Sequence, residues 1–384
     1  MAPGGVFRYQ FTVPDPGTYW FHPHMGLELD RGLYAPLIVE DPAEPLAYDV
    51  EATLMVDDWL DGFGPTQEQV LAGLRSSGGR SGHMAAAGSS IGGGGMGGMM
   101  GASSGSSTAT TGGSSGSMMG GLTGDVTYPL HVINGRAPTE RDTVTAQAGQ
   151  RVRLRLINAG SDTAYRVAVA EHRLTVTHAD GFPVAPVEVD NVVLGMGERY
   201  DVVVTAQSGA FPIVAVPEGK TDPAAEAVLR TTDAAAAPAT GTRPAQLVGR
   251  PVAYGDLTAT PSMQLARRKP DRSETVVLTA NATGYVHGIG GKSFPDTAPI
   301  VVREGERLRL RIVNDTMMFH PIHLHGHTFQ LVNAGAARKD TVIVLPMSAV
   351  EVDVQADNPG QWMLHCHNTY HLETGMATVL SYRA

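Results

Sequence analysis

Residues 148–158 return 156 positions later as residues 304–314. In the first copy Arg151, Arg153 and Arg155 alternate with Val152, Leu154 and Leu156 and the run closes on Asn158. In the second, Arg307, Arg309 and Arg311 alternate with Leu308, Leu310 and Ile312 and the run closes on Asn314. Strict alternation puts residues i and i+2 on one face, which is a β-strand with one face turned to a core. A strand that recurs at a domain-sized interval implies two copies of one β-domain. Residues 6–13, 201–204 and 350–354 alternate in the same way, and turn signals such as Asn158-Ala159-Gly160, Asn314-Asp315 and Asn358-Pro359-Gly360 close the runs. Short strands with regular turn punctuation predict antiparallel sandwiches, not strands alternating with helices.

At 384 residues the chain has room for two or three such domains. The reading divides it into residues 1–47, the tail end of a first domain, 48–235, a second domain, 236–245, a linker, and 246–384, a third domain. Residues 1–47 offer only two or three strands where a sandwich needs about seven, so the first domain is expected to be incomplete. Residues 76–121 stand apart. Of these 46 positions 17 are Gly and 12 are Ser, too little apolar surface to offset ordering entropy, so a disordered insertion is expected. Its six methionines and His83 leave two readings open, a tolerated loop or a thioether-rich segment that captures Cu(I).

The net charge of −10 gives no electrostatic footprint for nucleic acid or anionic lipid. No apolar run approaches a membrane span, and the start at Met1-Ala2-Pro3 shows no signal peptide. A single cysteine, Cys366, excludes intrachain disulfides, four-cysteine zinc sites and iron–sulfur clusters. Against it stand 14 His and 16 Met, and their placement carries the chemistry.

Eight histidines and the cysteine fall in three short segments: His22-Pro23-His24, His320-Pro321-Ile322-His323-Leu324-His325, and His365-Cys366-His367 followed by His371 and Met376. On a strand, His22 and His24 share a face, as do His323 with His325 and His365 with His367. Cys366 then points away from its two neighbours. His320 has the parity to join it. The side chains sort into two groups. Cys366, His320, His371 and Met376 offer a thiolate, two imidazoles and a thioether, the donor set of a blue-copper electron-transfer centre with Met376 as weak axial ligand. Zinc is the poorer fit, because its structural sites seldom use Met and usually hold more thiolates. The other six imidazoles exceed what one tetrahedral ion needs and imply a multinuclear copper site. Because Cys366 is bonded through the backbone to His365 and His367, an electron entering the thiolate site reaches the second group through covalent links.

The His-Cys-His-x3-His-x4-Met segment, with an upstream His-Pro-x-His-x-His, resembles the multicopper oxidases, the family of laccases, cuprous oxidases and bilirubin oxidases. The resemblance implies three tandem cupredoxin-like Greek-key sandwiches, four coppers in a complete member, and a reaction that passes four single electrons from a reductant to dioxygen, giving two waters. Carried over residue by residue, it implies a type 1 copper on His320, Cys366, His371 and Met376, and a type 2 copper on His323. One type 3 copper would take His24, His325 and His365, the other His22 and His367. Cys366, His365 and His367 would carry the electrons. Family members have a further His-x-His upstream of the segment matching His22-Pro23-His24, which this sequence lacks. An N-terminally truncated chain with a partly filled trinuclear centre is therefore the expectation. The same resemblance implies a periplasmic, cell-envelope or secreted location.

Met318 and Asp315 stand near the offsets at which cuprous oxidases bind substrate Cu(I), so Cu(I) or a small phenol is the expected reductant beside dioxygen. Two alternatives are a non-catalytic blue-copper relic and a copper nitrite reductase, the second disfavoured because a mononuclear site would use only one of His365 and His367. His327 is expected to make a structural hydrogen bond, and His131, His172, His178 and His287 are given structural roles by default. Glu373 reads either as a proton relay or as a solvated carboxylate, and Arg338-Lys339-Asp340 reads as a surface turn with local ion pairing.

Overall fold

The computed structural model describes residues 4–78, 119, 123–281, 283–332 and 335–383. Most of the Gly/Ser/Met-rich insertion, with His83 and every methionine of that segment except Met119, lies outside the described residues. The chain is 43% strand and 9% helix, and the all-β, tandem cupredoxin-like architecture expected from the sequence is the one it adopts.

The strand Arg151–Asn158 lies in a six-stranded sheet, parallel to Val50–Trp59 on one side and antiparallel to Arg199–Thr205 on the other. Its repeat, Arg307–Asn314, lies in a second six-stranded sheet, parallel to Arg272–Asn281 and antiparallel to Ala349–Gln355. Each has a five-stranded sheet as companion, and apolar side chains from both members pack in a common core: Leu154, Val202, Val167 and Ile213 around the first, Leu310, Val352, Ile322 and Leu364 around the second. The sequence repeat is thus a repeat of architecture.

The sandwich face carrying the arginines behaves differently in the two copies. Arg309 and Arg311 stay partly exposed, but Arg153 and Arg155 are buried. The cause is a third element, a two-stranded antiparallel sheet of Gly17–Phe21 and Ala35–Val39, which docks on that face. Thr18 Oγ1 donates to Asp201 Oδ1 at 2.7 Å and accepts from Arg155 at 2.7 Å, and Arg199 Nε donates to the Thr18 carbonyl. Arg153 and Arg155 both pair with Asp201, with Glu44 and Glu51 as outer partners. Buried charge held in a matched network is costly to break from one side, so this junction fixes where the small sheet, and the histidines that follow it, must sit.

Two expectations are corrected. Residues 6–13 alternate but form no strand, because no neighbouring edge among the described residues takes up their backbone hydrogen bonds; Phe7, Tyr9 and Phe11 stand exposed. The Arg338-Lys339-Asp340 triplet is not a surface turn. Arg338–Lys339 is a short strand paired with Phe329–Leu331. Lys339 is fully buried against Asp180 at 3.0 Å and Glu198 at 3.1 Å, since the second sandwich covers it.

Candidate metal centre

The strand Gln361–Cys366 lies between His320–Leu324 and Ala377–Tyr382, in a sheet buried on both sides. His323 stands opposite His365 in the ladder and Ile322 opposite Cys366, so the register sets the histidine pairs beside each other. Pro321 does not break its strand, which keeps a regular antiparallel register with Thr341–Val344. Just beyond Cys366 the chain turns into a short helix, Thr369–Glu373. Asn368 caps it, accepting from the Tyr370 and His371 amides, and so returns His371 to the Cys366 side.

The first group forms there. Cys366 Sγ lies 3.5 Å from His320 Nδ1 and 3.6 Å from His371 Nδ1, and the two nitrogens are 3.1 Å apart. All three residues are buried. Met376 is buried in the same core as Cys366, and its backbone closes the loop: its carbonyl accepts from the Cys366 amide and its amide donates to the His371 carbonyl. The outer nitrogens are committed elsewhere. His371 Nε2 donates to Asp125 Oδ2 at 2.8 Å, and His320 Nε2 donates to Thr316 Oγ1 at 2.8 Å, whose hydroxyl passes on to Asn314 Oδ1. Both rings therefore carry a proton on Nε2 and turn Nδ1 to the sulfur, the side from which an imidazole would bind a metal once that nitrogen is free of its proton. Burial pushes the His320 pKa far below the ordinary imidazole value. Burial acts the same way on His371, but the hydrogen bond to Asp125 and the Cys366 sulfur outweigh it and hold that pKa at about 10. In the metal-free chain a proton occupies the place where a cation fits.

The second group presents the opposite tautomer. His22 Nδ1, His323 Nδ1 and His365 Nδ1 each donate to a backbone carbonyl, of Pro23, Asp340 and Cys366, at 3.2, 2.9 and 2.8 Å. A carbonyl only accepts, so these rings hold the proton on Nδ1 and aim Nε2 inward. There His325 Nε2 meets His365 Nε2 at 3.0 Å and His22 Nε2 meets His367 Nε2 at 3.2 Å. His24, His325 and His365 form a set able to hold one ion, and the His323 ring lies 4.9 to 6.0 Å from those of His325, His365 and His367. Burial, reinforced by the neighbouring imidazoles, lowers the pKa of His22 to about 3, His24 to about 4 and His325 to about 2, and drives His365 and His367 far below the ordinary value. Six converging imidazoles fit soft or borderline cations such as copper.

Supporting residues hold this cage. Trp20 stacks on His22 with ring centroids 4.4 Å apart. Arg199 clamps Asp340 with two bonds at 2.6 and 2.8 Å, and so fixes the carbonyl that orients His323. Gly197, at φ +83°, permits the close approach of His367: a Cβ there would lie 2.6 Å from the ring.

Several of these residues gave no sequence signal. Asp125 and Tyr285 sit on irregular loops far from the ligand segments, and their contact with His371 is a product of tertiary packing. His287, given a structural role by default, lies face to face with His371 at 4.1 Å. Thr316 rather than Asp315 meets His320; Asp315 is exposed, while Met318 is buried with Met119, Met196 and Phe319. The Asn-x-Thr spacing, a local turn pattern, was the one available hint to Thr316. His327 makes the expected structural hydrogen bond, to Tyr382 at 2.6 Å. Glu373 lines a cavity beside Tyr285.

Three family models described as multicopper oxidase match residues 1–44, 106–234 and 267–384. Multicopper oxidase MmcO of Mycobacterium tuberculosis is 44% identical over 385 residues, covering 100% of this chain and 72% of that protein. A copper resistance protein A homolog of Pseudomonas syringae is 28% identical over 98% of this chain and 78% of its own length. Among solved structures, Fet3p, a multicopper oxidase that functions in iron import, superposes with a TM-score of 0.74 at 18% identity, over 96% of this chain and 72% of that one, which shows a shared fold.

Proposed function

Taking as premise that the chain belongs to the multicopper oxidase family, we propose that His320, Cys366, His371 and Met376 hold its type 1 copper. The same proposal gives His323 to the type 2 copper and His22, His24, His325, His365 and His367 to the type 3 pair. The family's chemistry is copper-dependent oxidation coupled to dioxygen reduction. Copper on these residues supplies one-electron transfer at the thiolate site and reduction of dioxygen at the imidazole cluster. The observation that carries the assignment is the pair of opposite ring orientations: two Nδ1 atoms meet one sulfur, while Nε2 atoms of the other rings meet in a second cluster, with the sulfur's backbone neighbours in that set.

The residues themselves do three things. Burial lowers the pKa of His22, His24, His320, His325, His365 and His367. Backbone carbonyls fix the tautomers of His22, His323 and His365, Thr316 that of His320 and Asp125 the orientation of His371. The direct bonds from Cys366 to His365 and His367 give an electron a covalent path between the groups. We assign the reductant as Cu(I), with small phenols second. Met318 beside His320, the exposed Met317 and Met347 nearby, and the copper-resistance relative support this order. A division at 1–47, 48–235, 236–245 and 246–384, and a periplasmic, cell-envelope or secreted location, belong to the same proposal.

The test is copper loading of the full chain, followed by visible absorption, electron paramagnetic resonance, metal counting and dioxygen uptake with Cu(I) or a phenol. A blue band is expected, and Cys366→Ser is expected to abolish it with the fold retained by circular dichroism. Copper-loaded protein that is colourless refutes the type 1 assignment. Blue protein that leaves dioxygen untouched with every donor favours the electron-transfer reading instead.

A further inference from the structure

The type 1 group has a closed outer edge. His371 is fully buried, and its outward nitrogen is covered by Asp125. The same Asp125 oxygen, Oδ2, accepts a second hydrogen bond at 2.6 Å from the hydroxyl of Tyr285. His287 covers the face of the His371 ring, and Tyr285 stands edge-on to His287 at 4.7 Å. On the other side of Tyr285 lies a cavity of about 330 Å³, bounded by Val286, Phe294, Leu372, Glu373 and Thr374 among others. It is large enough for one aromatic ring, and neither His371 nor Asp125 lines it.

We propose that Tyr285 is an internal phenol that occupies the acceptor an external phenol needs, and so biases the type 1 site toward metal-ion and other outer-sphere donors. This deepens the proposed oxidase reading and rests on it. A phenol becomes far more acidic as it gives up an electron, so it reacts best with its hydroxyl on an acceptor close to the electron's destination. Asp125 Oδ2 is that acceptor: it already bonds the ligand imidazole. Tyr285 fills its remaining donor position with the same functional group, and a ring seated in the cavity meets Tyr285 instead. A donor such as Cu(I) or a complex anion has no hydroxyl to place and loses nothing.

Tyr285 has φ +51°, the left-handed region that a bulky side chain seldom occupies, as the last residue of the turn between Arg272–Asn281 and Val286–Ile289. Glycine at 285 would relax the backbone and open the cavity toward Asp125 and His371.

The experiment follows anaerobic bleaching of the blue band in the copper-loaded full chain by 2,6-dimethoxyphenol and, separately, by ferrocyanide. No dioxygen turnover is needed, so the state of the imidazole cluster does not enter. Tyr285→Gly is expected to raise the phenol rate constant about tenfold, the equivalent of one hydrogen bond, and to move the ferrocyanide rate less than about twofold. Tyr285→Phe frees the acceptor but keeps the ring, and is expected to raise the phenol rate by a smaller factor. Parallel changes with both donors, or a phenol rate that does not move in either variant, overturn the proposal. If Tyr285→Gly fails to hold copper, the phenol-to-ferrocyanide ratio of Tyr285→Phe decides, and an unchanged ratio overturns it. A colourless wild-type protein would instead refute the type 1 assignment beneath it.

Discussion

Asn368 is the joint between the two groups of ligands, and truncating it should cost more than a surface cap does. Its Oδ1 accepts from the Tyr370 and His371 amides at 3.0 and 3.2 Å, and its Nδ2 donates to the buried Asp162 carboxylate at 2.7 Å. Loss of an N-cap costs about 1 kcal/mol. Loss of a buried hydrogen bond to a charged group adds about 1.5–3 kcal/mol. Asn368→Ala should therefore lower stability by about 2.5–4 kcal/mol, and the helix Thr369–Glu373 has only five residues with which to resist fraying. Asn368→Ser keeps the cap but cannot reach Asp162, so it should lose only the second part. Asn368→Asp keeps the cap but sets two carboxylates together, so one must hold a proton. That raised folded-state pKa makes the variant lose stability as pH rises above about 4, the unfolded carboxylate value. Denaturant midpoints of the metal-free variants at pH 4 and pH 7 give the energies. The blue absorption of the copper-loaded forms reports whether His371 has moved, and it should weaken in Asn368→Ala. Were Asn368→Ala to unfold within about 0.5 kcal/mol of wild type with an unchanged spectrum, the joint would be a bystander.

Lys339→Met should cost about 3–5 kcal/mol, because it leaves Asp180 and Glu198 buried without their cation. Adding Asp180→Asn and Glu198→Gln should recover most of that in the same denaturation assay. Gly197→Ala should retain the blue band yet lose about 1–3 kcal/mol and displace His367, since the new Cβ meets that ring and the residue stays at positive φ; crystallography or imidazole NMR reads the displacement. Metal-free protein should be most stable near pH 6.5. Below that value the unfolded chain protonates histidines that burial keeps neutral in the fold, at about 1.4 kcal/mol per pH unit for each of His320, His365 and His367. Above it, stability falls as pH rises toward about 10, because the raised pKa of His371 stabilises the fold only while that ring is protonated. A flat profile between pH 5 and pH 9 would contradict both signs.

Strand parity made the grouping of the ligands readable before any coordinates, because His320, His323, His365 and Cys366 sit on paired strands where period two holds, while His325 and His367 lie one residue past those strands and His22 and His24 follow the end of Gly17–Phe21. Everything that tunes those ligands was hidden for the complementary reason. Asp125 and Tyr285 come from loops, where spacing says nothing about direction, His287 comes from the strand Val286–Ile289, which carries no ligand motif, and Thr316 acts through a turn. Charge patterns misled in a related way. Arg153 and Arg309 look alike in sequence and differ in burial only because the Gly17–Phe21 sheet covers one of them. Lys339 reads as surface until the opposing sandwich supplies Asp180 and Glu198. Burial of a charge is decided by its partner, and for Lys339 both partners lie more than a hundred residues away in the sequence.

The repeat also explains why the ligands could be added without rebuilding the sandwich. Asn158 and Asn314 close the two copies, and they do the same work. Asn158 donates to the carbonyls of Thr163 and Leu194 and accepts from the Gly160 amide. Asn314 donates to the carbonyls of Met318 and Val344 and accepts from the Thr316 amide. Each asparagine thus locks the turn that leads into the next strand through two carbonyls and one amide of the backbone, and at Asn314 the Thr316 hydroxyl adds to it. The residues beyond it are free to differ. In one copy they run into Ala164 and Tyr165, both buried in apolar packing; in the other they run into Phe319 and His320. A lock anchored on backbone carbonyls tolerates a ligand two residues past its anchor, as His320 stands past Met318. It also delivers Thr316 to His320 Nε2 as a by-product, because the amide Asn314 accepts from belongs to the residue whose hydroxyl fixes the tautomer. The positions that specify the fold and those that specify the chemistry are therefore neighbours in sequence and separate in cause.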